Sequence, residues 1–295
     1  MSRRARFAPL SAHVALLPMA LTALIAYVGA TLWSLGVSFT SSRTFPVDHF
    51  VGLAQYVRLF GNDRWLLSLG NLAIYGTLFI AATLVIGFVL AALIDRQTRI
   101  ESALRTAFLY PYALSFIATG VVWQWLLNPG LGIQEAVRRL GFVNFQFDWI
   151  VDPDKAIYTI VIATVWQFSG FVMVLLLAGM RGIDPEIWKA ARLDGIPAWR
   201  VYGSIVLPML GHSLATAAIL LLTAVVKLYD AVVAMTQGGP GTASEVPAKF
   251  IMDHLFGRAN IALASAGSVV LLLTIGLLLA PVLYWRQRAA RATGA

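Results

Sequence analysis

Six long apolar stretches, parted by short polar segments, set the pattern of the chain. They cover approximately residues 13–39, 65–94, 106–128, 156–180, 206–236 and 262–285. Each meets or exceeds the roughly 20 residues that a helix needs to cross a bilayer core about 30 Å thick. None shows the apolar–polar alternation of a membrane strand. Backbone groups in lipid must find partners within their own segment, so each stretch is predicted as a helix. The expected fold is all-α: a polytopic membrane protein with six transmembrane helices. They form one domain over 13–285, between basic tails 1–12 and 286–295. Arg3, Arg4 and Arg6 resemble the basic start of a signal peptide. The apolar run behind them, about 26 residues, far outlasts the 7–15 of a signal sequence's apolar region. It is therefore read as a retained span.

Composition agrees. Of the 295 residues, 59% are hydrophobic and 12% charged, the latter about half the usual share. A soluble enzyme, a nucleic-acid binder and a disordered tail are excluded on that ground. The net charge of +8 acquires meaning only from its placement. With both termini inside, segments 1–12, 95–105, 181–205 and 286–295 hold 13 Lys and Arg in 58 residues. The outer segments 40–64, 128–155 and 237–261 hold 8 in 78 residues. This is the asymmetry of a protein whose basic loops stay in the cytoplasm. The outer bases meet 8 acids and the inner ones only 5, so the excess lies inside and requires no nucleic acid. With no cysteine in the chain, a disulfide framework, a thiolate metal site and a cysteine nucleophile are excluded.

The segment 181–210 reads RGIDPEIWKAARLDGIPAWRVYGSIVLPML. Asp184 is a good N-cap, with Pro185 at the first helical position and Glu186 beside it. Ala190 and Ala191 favour helix. Gly195 suits the position after a helix that needs a positive φ. Pro197 suits the first turn of a second helix. A helix–turn–helix is expected over 181–205, its Ile187 and Trp188 lying against the end of the bundle. The chemistry alone is equally that of an ordinary interfacial loop helix.

This stretch resembles the EAA loop of permease subunits of binding-protein-dependent ABC importers. The pattern there is Glu-Ala-Ala, then Asp-Gly, nine residues, then Ile-x-Leu-Pro. Ala190, Ala191, Asp194, Gly195, Ile205, Leu207 and Pro208 match it at the same spacing. Lys189 departs from it, standing where the family has Glu. Segments 50–56, 109–111, 123–130 and 235–241 extend the resemblance, which is nearest the carbohydrate branch and there to glucose/mannose or α-glucoside permeases.

The resemblance implies an importer-type permease fold in the cytoplasmic (inner) membrane. It implies four partner types: a second permease, two copies of a cytoplasmic ABC ATPase, an extracytoplasmic sugar-binding protein, and the sugar. Glu186, Trp188, Lys189, Ala190, Ala191, Asp194 and Gly195 would then form the helix that couples to the ATPase. Lys189 reverses the charge of the family's Glu, and Glu186, one turn earlier, is a candidate substitute. No phosphate-binding G-x-x-x-x-G-K-[ST] loop occurs. The chain is therefore expected to be a transport subunit and not an enzyme. It would carry no cofactor of its own, ATP-Mg belonging to the partner ATPase.

Polar residues within the spans mark candidate substrate contacts. Lys227 and Asp230, three apart in the fifth stretch, are expected to share a helix face and pair, facing protein or water because a lone charge in lipid is costly. Sugars bind through aromatic faces and a few convergent hydrogen bonds. Trp123, Gln124, Trp166 and Gln167 offer both. Each also has a bland reading, as an interfacial tryptophan or a structural polar group. Two other function classes stay open on residues alone: a self-contained secondary transporter with a driving-ion site, and an intramembrane enzyme built on Lys227 and Asp230.

Overall fold

A computed structural model describes residues 8–47, 49–95 and 100–292. Arg3, Arg4 and Arg6 of the first tail, and Arg96 and Arg99 of the inner segment 95–105, lie outside them. The chain runs α1 (Ala8–Ala23), α2 (Ala30–Ser38), α3 (Ala54–Phe60), α4 (Asp63–Ile94), α5 (Glu101–Leu109), α6 (Phe116–Leu126), α7 (Ile133–Arg139) and α8 (Ala156–Arg181). It continues through α9 (Pro185–Leu193), α10 (Ala198–Arg200), α11 (Leu207–Met209), α12 (Gly211–Val226), α13 (Asp230–Met235), α14 (Pro247–Met252) and α15 (Ile261–Ala292). No strand is found among the described residues, so the all-α expectation holds.

The straight six-span expectation needs correction. Three segments are continuous helices long and apolar enough to cross a membrane: Ala15–Ser38, Asp63–Ile94 and Ala156–Arg181. The third predicted span bends by 98° between Glu101–Ala113 and Phe116–Leu126. Pro111 sits in a 3-10 turn, Tyr110–Ala113, and Leu114 is extended. The helix restarts at Ser115, whose hydroxyl caps it by accepting from the Ala118 N–H at 3.1 Å. The fifth bends by 73° between Ala198–Met209 and Gly211–Val226. Here Pro208, which has no N–H to donate, follows a π-helical turn, Val201–Val206. The same stretch breaks again at 227–229, between α12 and α13. The sixth predicted stretch falls in α15, where the apolar helix Ile261–Leu277 is shorter than the other candidate spans, so the described residues hold three such spans, or five if each bent pair is one.

Two compact units divide the chain. One comprises 1–62 and 251–273. In it Phe39 packs on Tyr56 with ring centroids 5.5 Å apart, and the Ser42 and Arg43 carbonyls accept from the first turn of α15. The other comprises 63–250 and 274–295, and its axis is α8. Ile160, Val172, Met173, Leu176 and Met180 of α8 are buried, against Tyr75, Phe79 and Ala91 of α4. Hydrophobicity does not drive helix association in lipid, so close packing and hydrogen bonds must hold such a bundle. Gly170 shows how close. A β-carbon there would overlap the Phe108 carbonyl of the broken third span. Nearly one turn earlier on α8, Gln167 donates from Nε2 to the Leu114 carbonyl that the break leaves free, at 3.0 Å.

Candidate functional site

The 181–210 segment folds largely as its residues dictate. Asp184 caps α9, its carboxylate accepting from the Glu186 N–H at 2.9 Å. Gly195 has φ +66°. The Ile196 N–H reaches back to Ala191 O at 3.0 Å and the Gly195 N–H to Arg192 O at 3.2 Å, the two bonds that close a helix end around a left-handed residue. Pro197 differs by one place from the expectation: it precedes α10 as its N-cap.

This helix has two faces. Ala191 is buried, and Ile187 and Trp188 pack on the core. Trp188 meets Tyr202 edge to face at 5.6 Å, and the Tyr202 hydroxyl donates to Asp95 Oδ2 at 3.1 Å. The contact thus runs from α9 to the residue following α4. A cavity of about 700 Å³ lies alongside, lined in part by Asp95, Arg181, Trp188, Lys189 and Tyr202. On the other face Glu186, Lys189, Ala190, Arg192 and Asp194 are exposed, and Leu193 is 87% exposed. Glu186 and Lys189 pair with one another at 2.8 Å. Such a solvent-exposed pair adds at most about 1 kcal/mol, so neither side chain is tied down.

A second cavity, of about 310 Å³, lies among α4, α6, α8 and α12–α13. Its walls carry the rings of Tyr75, Tyr112, Phe116, Phe168 and Phe171. These rings brace each other: Tyr112 stacks on Phe171 at 4.6 Å and meets Phe168 edge-on at 5.4 Å. The wall also carries polar groups. Tyr75 donates to Thr164 Oγ1 at 3.1 Å, and Tyr112, Thr223, Lys227, Tyr229 and Asp230 are the other polar residues of the lining.

The six predicted path residues are split by the fold. Lys227 and Asp230 both line the aromatic cavity. They do not share a helix face, because α12 stops at Val226 and α13 starts at Asp230. Among the described residues they form no ion pair. Trp123 and Trp166 meet edge to face at 5.8 Å, with Trp166 43% exposed on the outside of α8. Gln124 lines a separate hollow of about 290 Å³. Gln167 is buried at the helix break and reaches neither cavity. The sequence reading missed Tyr75, Tyr112, Phe116, Thr164, Phe168, Phe171 and Thr223. One usable signal was the i, i+3 spacing of Phe168 and Phe171, which shares a helix face. Another was Tyr110-Pro111-Tyr112, whose proline breaks the third span.

Outside the bundle, Asp152 anchors the approach to α8. Its side chain accepts from Lys155 at 2.7 Å and from the Asp154 N–H at 2.9 Å. These bonds hold its carboxyl below the ordinary value.

Among the described residues the chain is all-helical, with interrupted apolar helices around a cavity and a capped helix beside the bundle, an arrangement that suits a membrane permease. The chain belongs to the family of binding-protein-dependent transport system inner membrane components, which it matches over residues 83–290. A probable ABC transporter permease of Pyrococcus horikoshii is 37% identical over 261 residues, covering 88% of this chain and 89% of its own. The xylose/arabinose import permease XacH of Haloferax volcanii is 29% identical over 268 residues, 90% of this chain and 84% of its own. The crystal structure of a bacterial ABC transporter that imports the polysaccharide alginate contains a chain with the same fold. It has a TM-score of 0.83 at 18% identity, and 96% of each chain is covered.

Proposed function

We infer that this chain is one permease half of an ABC sugar importer. A second, related permease completes the path, two copies of a cytoplasmic ATPase drive it with ATP-Mg, and an extracytoplasmic binding protein delivers the sugar. The chain crosses the inner membrane six times with both termini in the cytoplasm, the third and fifth crossings being broken ones. The substrate is glucose, mannose or an α-glucoside. Aromatic rings with a few hydroxyl, ammonium and carboxylate groups suit a pyranose. A cavity of about 310 Å³ is at the small end of ligand pockets, favouring a mono- or disaccharide over a long chain.

The observation that carries this reading is the two-faced helix α9. One face is keyed into the bundle through Trp188, Tyr202 and Asp95; the other presents Leu193 and unfixed charges to whatever docks there. ATPase closure pushes α9, and the bundle shifts between inward- and outward-open states. Each partner drives the cycle only in so far as it binds the two states unequally.

The chain has no cysteine, so Leu193→Cys gives a single reporter. In the purified complex it should cross-link to the ATPase through a short bifunctional reagent, with a yield that changes on ATP binding. Hydrolysis should rise with sugar-loaded binding protein. An introduced thiol that never reaches the ATPase, with hydrolysis indifferent to sugar, would refute the reading.

A further inference from the structure

Gln237 stands in the left-handed region, with φ +57°. A β-carbon is strained there. Its neighbours Gly238 and Gly241 also have positive φ but carry no side chain to strain. The surrounding turn is fastened from several sides. Thr236 Oγ1 lies 2.8 Å from Ser244 Oγ, and Ser244 Oγ donates to Gly239 O at 2.6 Å. Asn71 donates from Nδ2 to the Ala243 and Glu245 carbonyls at 2.8 and 2.9 Å. Arg64 clasps the Glu245 carboxylate with two nitrogens. Strain of this kind survives only where the surroundings over-determine it, and it gathers at sites of use.

Gln237 lines the 290 Å³ hollow together with Gln124, Asn128 and Thr236, over Ile150 and Met235. Gln124 is half-buried and Gln237 exposed, and among the described residues neither carboxamide bonds to protein, so both are open to water or to a ligand's hydroxyl. A carboxamide offers two donors and an acceptor, the complement of a hydroxyl that both gives and takes. No ionisable side chain is among the lining residues, so an ion would find no countercharge there. The apolar floor suits the C–H face of a pyranose.

The hollow and the aromatic cavity have no lining residue in common but draw on the same two helices, α6 and α13. Phe116 and Asp230 belong to the cavity, Gln124 and Met235 to the hollow. Eight residues of α6 separate Phe116 from Gln124, about 12 Å at the helical rise. Between them α6 and α13 touch at Gly120, where a β-carbon would lie 2.5 Å from that of Ala234. Passage from one to the other needs this seam to part.

We propose that the hollow is a first station for the incoming sugar, its hydroxyls bonded by Gln124 and Gln237 before the Gly120–Ala234 seam opens to the aromatic cavity. This rests on the sugar-importer reading and on the orientation proposed above.

The test is the full importer in proteoliposomes with radiolabelled glucose and maltose, scored as sugar delivered per ATP hydrolysed. Gln124→Leu removes one carboxamide at nearly constant volume. Gln237→Gly removes the other and relieves the strain, so it should melt no lower than wild type. Each should lower the ratio about threefold and the pair about tenfold, as sugar escapes outward before the seam closes behind it. An unchanged ratio in the double variant overturns the proposal while leaving the importer reading intact. Uptake and hydrolysis falling together, with their ratio kept, makes the hollow a binding-protein contact and also overturns it. A wild-type complex that takes up no sugar defeats the importer reading, and this proposal with it.

Discussion

Helix α9 and the aromatic cavity are built by opposite means. Helix α9 is specified almost entirely by its own nine residues and their caps: Asp184 opens it, Gly195 and Ile196 close it. It touches the bundle through a small set of side chains and leaves its other face bare. The cavity has no local specification. Its walls come from four parts of the chain, brought together by helix breaks and by glycine-tight crossings. A self-contained helix can be pushed as a rigid piece. A cavity held by many distant contacts changes shape when any of those contacts is displaced, which is what the proposed push on α9 requires.

The comparison breaks most severely at Gly170. Any side chain there collides with the backbone of the broken third span. Gly170→Ala should cost on the order of 1–3 kcal/mol or more, as overpacking does, and lower both membrane abundance and the melting temperature of the purified complex. The cavity should suffer while α9 keeps its form.

Gly195→Val tests the other region. It forces a β-branched residue to φ +66°, at a cost of about 1–3 kcal/mol, with open space around the new β-carbon. Insertion should survive. Sugar delivered per ATP should fall about tenfold, and Gly195→Asn should recover much of it because asparagine tolerates this conformation. Full transport by Gly195→Val at normal abundance would contradict the coupling role.

The smallest effect sharpens the link between the regions. Tyr202→Phe removes the hydroxyl that bonds Asp95, about 0.5–1.5 kcal/mol for an ordinary hydrogen bond, and keeps the ring against Trp188. The complex should fold and bind the ATPase, with transport per ATP lowered about two- to threefold. No change would remove the 188–202–95 contact from the transmission route.

The same contrast explains what the sequence made legible. Capping residues act within a turn of themselves, so the bounds of α9 were readable from Asp184, Pro185 and Gly195. The apolar lengths gave the helical stretches, but not that Pro111 and Pro208 accompany breaks in two of them. Lys227 and Asp230 were read as a pair on one helix face; a non-helical step at 227–229 removes the shared face and among the described residues they form no ion pair, although both line one cavity. Gln167 looked like a sugar ligand because a buried amide needs a partner. That partner is a backbone carbonyl freed by a bend some fifty residues earlier, which no local pattern reveals. The rings of Tyr75, Tyr112 and Phe168 are legible only once the helices are packed.

The central claim is that force enters this chain from outside, through α9. The most direct measurement is sugar accumulation in proteoliposomes containing the permease pair and binding protein, with and without the ATPase and internal ATP. The account predicts uphill uptake only when ATPase and ATP are both present, and none from this chain alone under an ion gradient. Accumulation by this chain without the ATPase, abolished by an ionophore, would contradict it.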